Sequence, residues 1–316
     1  MIIEQSEHIL QEVGKAFIGK DEVIRRVLMT IYAGGHILLE DRPGVGKTTL
    51  ALAFSKALGL DYRRIQFTPD TLPSDITGFT VFNRQSGAFE YRDGAANCQL
   101  LLADEINRTS PKTQSALLEA MEEHSVTVDG VTHPLPAPFV CIATQNPVGA
   151  AGTQPLPDSQ LDRFMVCLSI GYPSRAEQLQ IIHSQRSLHP LDTLKAVATP
   201  ETILEIQQYL STVHMDDAVL GYIIDLCEET RKLPLVEQGV SPRGVSALTR
   251  MAQAHAILSQ RDYTVPEDVQ AVFTDVCAHR LLLHPQARIE GVTRQDLLVD
   301  VLRNIKPPAA SRWAHG

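Results

Sequence analysis

The stretch HILLEDRPGVGKTTLALAFSKALG (36–59) passes from an apolar, strand-like run through a glycine-rich turn into a helix-like run. A phosphate-binding loop, written G-x-x-x-x-G-K-[ST], requires this strand–turn–helix context. The stretch meets the pattern except at the first position, where Asp41 replaces glycine. That position only starts the turn, and the amides that hold phosphate come later, so we interpret the stretch as a phosphate-binding loop. The alternative is a glycine turn that carries a surface lysine.

The residues of the loop suit the phosphate chain of a nucleotide. Gly44 and Gly46 let the backbone turn sharply, so that successive N–H groups point at one anion. The N-terminus of the following helix adds partial positive charge. Lys47 is expected to reach the β- and γ-phosphates, and the Thr48 hydroxyl to ligate Mg²⁺. The candidate nucleotide-binding residues of the loop are Gly44, Val45, Gly46, Lys47, Thr48 and Thr49.

Five short apolar runs alternate with helical patterns in the first half of the chain, as in an α/β domain. Four runs are almost continuously apolar, which favours parallel strands covered on both faces, whereas the run at 63–67 is more polar and suits an edge or near-edge strand. The pattern predicts a P-loop NTPase three-layer αβα domain with a mainly parallel sheet. The runs are 36–40, 63–67, 98–104, 138–144 and 164–170.

Two further patterns complete the organisation of the chain. Segment 76–94 alternates apolar and polar residues around NRQSG, which predicts an inserted β-hairpin, and segment 126–135 suggests a second hairpin. Towards the C-terminus the strand patterns stop and helical periodicity continues. We therefore predict a nucleotide-binding αβα domain over 1–190 and an all-helical lid domain over 191–316.

The stretch LLLADEINR (100–108) ends a predicted buried strand with two adjacent carboxylates. A phosphate-binding loop needs a carboxylate at the end of a neighbouring strand to hold hydrated Mg²⁺, and Asp104 is placed for this role. Glu105 is then positioned to orient and deprotonate an attacking water. The alternative is a strand that ends in a solvated Asp-Glu pair, and the upstream phosphate-binding loop weighs against it.

Three isolated polar residues are further catalytic candidates. Asn146, in ATQNP, is a neutral donor suited to the lytic water or the γ-phosphate, although Asn before Pro is also a common loop start. Arg163, in QLDRF, is a candidate for supply to a neighbouring subunit's phosphate, and its alternative is an ion pair with Asp162 or another acid. Arg243, in SPRG, is a candidate lid contact to the nucleotide, and its alternative is a solvated helix start.

Composition limits the classes of partner. The chain has 316 residues, a net charge of −9 and no clustered basic run, which argues against general affinity for nucleic acid phosphates. The five cysteines are far apart and suit buried free thiols in a reducing compartment. No apolar run approaches the ~18 residues that span a bilayer, and the N-terminus lacks a signal-peptide layout. We expect a cytoplasmic protein without membrane insertion.

Together these segments resemble the MoxR family of AAA+ ATPases, within the clade that carries an insert in helix 2. The matching text includes FIGKDEVI (17–24), LLLADEINRTSPKTQSALLEAMEE (100–123), LPDSQLDRF (156–164) and SPRGVSALTRMAQAHA (241–256). The resemblance implies that Ile18 and Gly19 meet the adenine ring. The other implied roles are Walker A at Lys47 and Thr48, Walker B at Asp104 and Glu105, sensor 1 at Asn146, an arginine finger at Arg163 and sensor 2 at Arg243.

The resemblance also implies a function. It implies ATP hydrolysis with Mg²⁺ at sites shared between the subunits of a ring, with a hexamer as the expected assembly. It implies chaperone-like remodelling or maturation of client proteins, together with a partner that carries a von Willebrand factor type A domain. Two other classes stay open: a nucleic-acid-dependent motor or clamp-loader-like ATPase, and a nucleotide-binding scaffold without hydrolysis. The acidic net charge argues against the first class, and Glu105, Asn146 and Arg163 argue against the second.

Overall fold

A five-stranded parallel sheet forms the centre of the N-terminal half. The computed structural model describes residues 2–146, 156–185 and 190–309. In chain order the strands are β1 (Ile37–Glu40), β2 (Tyr62–Gln66), β3 (Phe79–Asn83), β4 (Ala88–Arg92), β5 (Leu100–Asp104), β6 (Ser125–Val128), β7 (Val131–Pro134), β8 (Val140–Gln145), β9 (Val166–Leu168), β10 (Val236–Gln238) and β11 (Leu282–Leu283). The central sheet has the order β2-β5-β8-β1-β9, and all of its neighbouring strands are parallel.

The predicted α/β architecture is confirmed. Each of the five apolar runs forms a strand of the central sheet. β5 and β8 are buried along their whole length, whereas β2 alternates half-buried and exposed residues at the edge of the sheet, as its polar sequence predicts. Because the strands are parallel, their carboxyl ends meet at one edge, where the loops that follow β1, β5 and β8 come together.

Helices cover both faces of the sheet and then continue without the sheet towards the C-terminus. Ile37 and Leu39 of β1 face one apolar cluster, and Leu38 faces the other. The described α-helices are α1 (Ile2–Ala16), α2 (Asp21–Tyr32), α3 (Lys47–Leu58), α4 (Pro73–Thr77), α5 (Pro111–Glu123), α6 (Asp158–Leu161), α7 (Arg175–Gln185), α8 (Pro200–Leu210), α9 (Asp217–Thr230), α10 (Pro242–Leu258), α11 (Pro266–Cys277), α12 (Pro285–Glu290) and α13 (Arg294–Asn304).

The two predicted hairpins are present beside this layered core. β3 and β4 pair antiparallel after the short helix α4, and β6 and β7 pair antiparallel after α5. The hairpins touch each other where the Tyr91 ring stacks on the His133 ring, with centroids 3.8 Å apart. The segment at 76–94 is therefore an insertion between the second and third strands along the chain that belong to the central sheet.

The C-terminal part is mainly helical, as predicted. It differs from the prediction of an all-helical lid by a short β-ladder. Helices α8 to α13 form it together with a two-stranded antiparallel ladder of β10 and β11. β10 has three residues and β11 has two, so neither segment is long enough to show a strand pattern in the sequence. The lid packs on α2 of the first domain: Gln207 Nε2 donates to the Ile31 carbonyl at 2.8 Å and Arg250 Nε to the Ala33 carbonyl at 2.7 Å. The boundary at 190/191 remains a prediction.

Two compositional expectations can be compared with the described ranges. All five cysteines are free; four are buried and Cys167 is half-buried, so burial is confirmed for four of them. Among the helices in the described ranges, none combines the length and the apolar character needed to cross a bilayer.

Candidate nucleotide-binding site

The loop between β1 and α3 has the backbone of a phosphate-binding turn. Gly44 and Gly46 have φ angles of 87° and 99°, in the left-handed region that favours glycine. Gly46 is the residue immediately before α3, and a Cβ added there would lie 3.0 Å from the Phe17 ring. The N–H groups of the first turn of α3 therefore point towards the space that the loop encloses.

The Lys47 side chain is buried and is fixed by a hydrogen bond within this loop. Its Nζ donates to the carbonyl oxygen of Asp41 at 2.7 Å. Burial lowers the pKa of Lys47, against the attraction of the Asp104, Asp41 and Glu105 carboxylates. The three carboxylates favour the charged form of the amine, which is the form that binds a phosphate most strongly.

Asp104 is placed at the carboxyl end of β5 with both oxygens engaged. Oδ1 accepts a hydrogen bond from the Thr144 hydroxyl at 2.6 Å, and Oδ2 accepts one from Arg64 Nη2 at 2.6 Å. Asp104 and Thr48 line the same cavity of about 320 Å³. A carboxylate and a hydroxyl on one cavity wall form an oxygen donor set that suits Mg²⁺.

Glu105 follows Asp104 in the chain, but its carboxylate has a different set of hydrogen-bond partners. Its φ of 60° lies in the left-handed region that few non-glycine residues adopt, and its N–H donates to Thr144 Oγ1 at 2.8 Å. The Glu105 carboxylate accepts hydrogen bonds from Asn146 Nδ2 at 3.1 Å and from Arg108 Nη1 at 2.8 Å. Burial raises the pKa of Glu105, but the donors Arg108 and Asn146 outweigh it, so the pKa is lowered overall.

Two adjoining cavities meet at the loop. The first, of about 320 Å³, collects the polar candidates and is lined by Pro43, Gly44, Gly46, Lys47, Thr48, Thr49, Asp104, Glu105 and Asn146. The second, of about 350 Å³, has mostly apolar lining residues, which include Phe17, Ile18, Val45 and, from α7, Ile181 and Ile182. Gly19 has a φ of 76° and contacts Glu177, but it does not line this cavity.

Sequence comparisons agree with this geometry. The profile described as "ATPase family associated with various cellular activities (AAA)" matches residues 36–166, and an AAA lid domain profile matches residues 228–301. Chaperone MoxR1 of Mycobacterium tuberculosis is 35% identical over 311 residues, which cover 96% of this chain and 82% of that protein. The chain belongs to the MoxR family of AAA+ ATPases.

Two other relatives support the assignment to the MoxR family. Uncharacterized protein YeaC of Bacillus subtilis is 47% identical over 299 residues, which cover 95% of this chain and 93% of that protein. A crystal structure of a Cytophaga hutchinsonii protein assigned as an ATPase superposes with a TM-score of 0.90 at 36% identity, and the match covers 98% of this chain and 96% of that one. The family assignment implies nucleotide binding by this MoxR chain.

The two candidate arginines lie together, away from the loop of this MoxR chain. Arg163 Nη1 lies 3.3 Å from Glu122 Oε2, and Arg243 donates to the other carboxylate oxygen of Glu122. Neither arginine lines either nucleotide cavity. In this structure Arg243 is held beside Arg163 by Glu122, in the last turn of α5. The role of Arg243 as a lid contact to the nucleotide remains a prediction.

A buried ion pair fixes this arrangement. Asp162, next to Arg163, accepts hydrogen bonds from Arg280 Nε at 2.9 Å and from the Ser241 hydroxyl at 2.9 Å. Ser241 caps α10, and its hydroxyl also accepts from the Gly244 N–H. The start of α10 is thereby docked on the segment that carries Arg163.

Several partners of the candidate residues were not predicted from the sequence, among them Arg108, which donates to Glu105. Arg64 of β2, Thr144 of β8 and Glu122 of α5 each contact a candidate residue. Arg64 and Thr144 lie on strands that flank β5, so the parallel alignment of predicted strands was the available signal. No pattern in the sequence pointed to Glu122, because α5 carries three acids near its end.

Proposed function

We propose that this MoxR-type chain hydrolyses ATP with Mg²⁺. The proposal depends chiefly on one cavity, in which Lys47, Thr48 and Asp104 lie with the hydrogen-bonded pair Glu105 and Asn146. That set provides a cation for phosphate, oxygen ligands for a metal and a carboxylate for the attacking water. A binding scaffold without hydrolysis would not need the last of these.

Each residue of the cavity has a role that its contacts support. Lys47 leaves the Asp41 carbonyl to bind the β- and γ-phosphates, and Thr48 and Asp104 hold Mg²⁺. When bound, Mg²⁺ neutralises charge on the phosphate oxygens. Because its pKa is lowered, Glu105 is a carboxylate at neutral pH and can accept a proton from water. Asn146 donates to Glu105 and thereby fixes its direction.

The apolar cavity suits the adenine ring. Phe17 and Ile18 line it together with Ile181 and Ile182 of α7, so that it offers apolar surface to a flat base. The cavity meets the loop at Gly46, which lines both spaces, so that a base in one cavity and phosphates in the other belong to one ligand.

We infer that hydrolysis requires a second copy of the chain. Arg163 and Arg243 are outside the cavities of their own chain and half-exposed on Glu122, where a neighbouring subunit can reach them. An arginine supplied in this way is worth about 10³–10⁵ in rate. A contact between different faces of identical chains gives a ring when its rotation closes, and a hexameric ring is the form that the MoxR resemblance implies.

The work of the ring is proposed to be the remodelling or maturation of client proteins. The relative named Chaperone MoxR1 supports this choice. A partner with a von Willebrand factor type A domain is proposed from the family resemblance. The described part of the chain offers no feature that names the client.

Mixing two inactive variants tests the shared site. Lys47→Ala should lose nucleotide binding, and Arg163→Ala should bind ATP normally but lose turnover. In mixed rings some sites join an intact Lys47 to an intact Arg163, so turnover should recover to a measurable fraction of the wild-type rate. If no mixing ratio restores turnover while both variants assemble, the shared site is wrong.

The same assay separates the other function classes. Turnover measured with added DNA or RNA should not rise, and clear stimulation by either would favour a nucleic-acid-dependent motor. Turnover of the wild-type chain no higher than that of Glu105→Gln would favour a binding scaffold. Affinity capture with Glu105→Gln and ATP is the route to the client.

A further inference from the structure

Asp41 is the residue at which the loop departs from the phosphate-binding pattern, and it is 8% exposed. Its carboxylate accepts three hydrogen bonds from one segment that follows β9. The Ser169 hydroxyl donates to Oδ1 at 2.9 Å, the Gly171 N–H donates to Oδ1 at 3.2 Å, and the Ile170 N–H donates to Oδ2. A glycine at this position would leave all three donors without this acceptor.

The backbone of Asp41 belongs to the phosphate side of the site. Its carbonyl oxygen accepts from Lys47 Nζ at 2.7 Å, and its N–H donates to the Gln145 carbonyl at 3.3 Å. Gln145 directly precedes Asn146. One residue therefore contacts the phosphate-binding lysine through its main chain and the segment after β9 through its side chain.

The segment after β9 leads directly to the apolar cavity that is proposed to hold the base. Gly171, with a φ of 67°, turns the chain towards Pro173, which lines the apolar cavity, and then into α7. α7 supplies Gln178, Ile181 and Ile182 to the cavity wall. Lys20 on the opposite side donates to the Tyr172 carbonyl at 3.0 Å, so the start of this wall is fixed from two directions.

We propose that Asp41 is a positioning residue. It sets the distance between the phosphate-binding loop and the base-side wall, which is the part of the apolar cavity formed by Pro173 and α7. It thereby makes the site select a nucleoside triphosphate over a bare polyphosphate. This inference rests on the proposed nucleotide site. The base contributes to affinity only if α7 stands at the correct distance from Gly46. The Asp41 carboxylate sets that distance, because its hydrogen bonds connect the loop to the turn at 169–171.

The test compares two ligands on four proteins. Dissociation constants for ATP and for inorganic tripolyphosphate, both with Mg²⁺, are measured by titration calorimetry on the wild-type chain, Asp41→Gly, Asp41→Asn and Ser169→Ala. Asp41→Gly restores the literal phosphate-binding pattern. Asp41→Asn keeps the size of the side chain and one acceptor oxygen, but it replaces the other acceptor with an amide NH₂ that cannot accept from the segment after β9. It remains usable if the glycine variant does not fold.

The expected result is a selective loss. Asp41→Gly and Asp41→Asn should weaken ATP binding about tenfold or more, roughly 1.4 kcal/mol, and change tripolyphosphate binding by less than about threefold. Ser169→Ala, which removes one donor, should show a smaller loss in the same direction. Asp296→Ala removes the carboxylate that accepts from the Thr293 N–H at the start of α13, and it serves as the control that lowers stability without changing either affinity.

Two results would overturn the inference. An equal loss for both ligands would make Asp41 a support of the loop alone, and unchanged ATP affinity would make it a tolerated departure from the pattern. The wild-type measurement comes first: a wild-type chain that binds neither ligand would contradict the proposed nucleotide site rather than the role of Asp41.

Discussion

At the residue scale, the adjacent carboxylates of Asp104 and Glu105, at the carboxyl end of β5, have different hydrogen-bond partners. Thr144 bonds both residues, through the side chain of Asp104 and the N–H of Glu105. This contact, with the left-handed φ of Glu105, turns the two side chains apart. Asp104 lines the cavity with Thr48 and is the proposed metal ligand, whereas Glu105 faces Asn146 and Arg108.

Glu105→Gln tests the assignment of the base. The amide cannot accept a proton from water, so turnover should fall by about 10²-fold or more. ATP affinity should change little, because Lys47 and the loop amides are intact. Steady-state phosphate release measures turnover, and calorimetry measures ATP affinity. The exposed Glu205→Gln of α8 is the matched control. A Glu105→Gln protein that turns over at the wild-type rate would contradict the assignment.

Arg64→Ala tests the missed partner of Asp104. Arg64 places a cation 2.6 Å from the proposed metal ligand, so its removal should strengthen Mg²⁺ binding. The Mg²⁺ concentration for half-maximal turnover should fall by about threefold, since the half-exposed pair is screened by water. Arg64→Lys retains the charge and should behave like the wild type. A rise in the Mg²⁺ requirement would show that Arg64 supports the metal site instead.

Arg108→Ala tests the cause of the Glu105 pKa. Arg108 and Asn146 lower this pKa against burial, so losing Arg108 should raise it. The acid limb of turnover against pH should therefore move to higher pH, while the rate near pH 8, where Glu105 is ionised in both proteins, changes less. Circular dichroism at each pH checks that the fold is retained. An unmoved acid limb would mean that the limb reports another group.

At the scale of elements, the docking of α10 on the segment before β9 decides where the lid presents its arginine. Arg280 is almost wholly buried, and its guanidinium meets the Asp162 carboxylate as well as the carbonyls of Phe164 and Met165. Burial lowers the pKa of Arg280, with Asp162 acting to raise it. Arg243 and Arg163 are thus presented on one surface.

Asp162→Ala should be strongly destabilising. It leaves a buried guanidinium without its carboxylate, which costs about 3 kcal/mol in the free energy of unfolding. Urea denaturation followed by circular dichroism measures the change. Asp300→Ala removes an exposed partner of Arg303 and should leave the urea midpoint nearly unchanged. Similar midpoints for the two variants would mean that water enters the Asp162 site.

At the scale of the whole molecule, the proposed shared site makes assembly a condition of activity, because Arg163 lies outside both cavities of its own chain. Turnover per chain should rise steeply with protein concentration, whereas nucleotide binding to the loop should not. Activity assays over a dilution series, read beside light scattering, measure both. A constant turnover per chain across the transition from monomer to larger species would rule out a shared site.

Much of the fold was predictable because its signals are local. Continuous apolar runs marked the strands of the sheet, and alternation around NRQSG marked the hairpin at 76–94. The short β10–β11 ladder was not predictable, since Leu282 and Leu283 pair with a strand about 45 residues away and have no strand pattern of their own.

The sequence by itself determined the central sheet and the phosphate-binding loop, because side-chain periodicity and glycine conformation act between near neighbours in the chain. Only the tertiary structure decided which charges meet: Arg64 with Asp104, Arg243 with Glu122, and Asp41 with the turn at 169–171. These contacts join residues 40 to 130 positions apart. No local rule specifies such pairs, since they depend on strand order and on how the lid packs against the sheet.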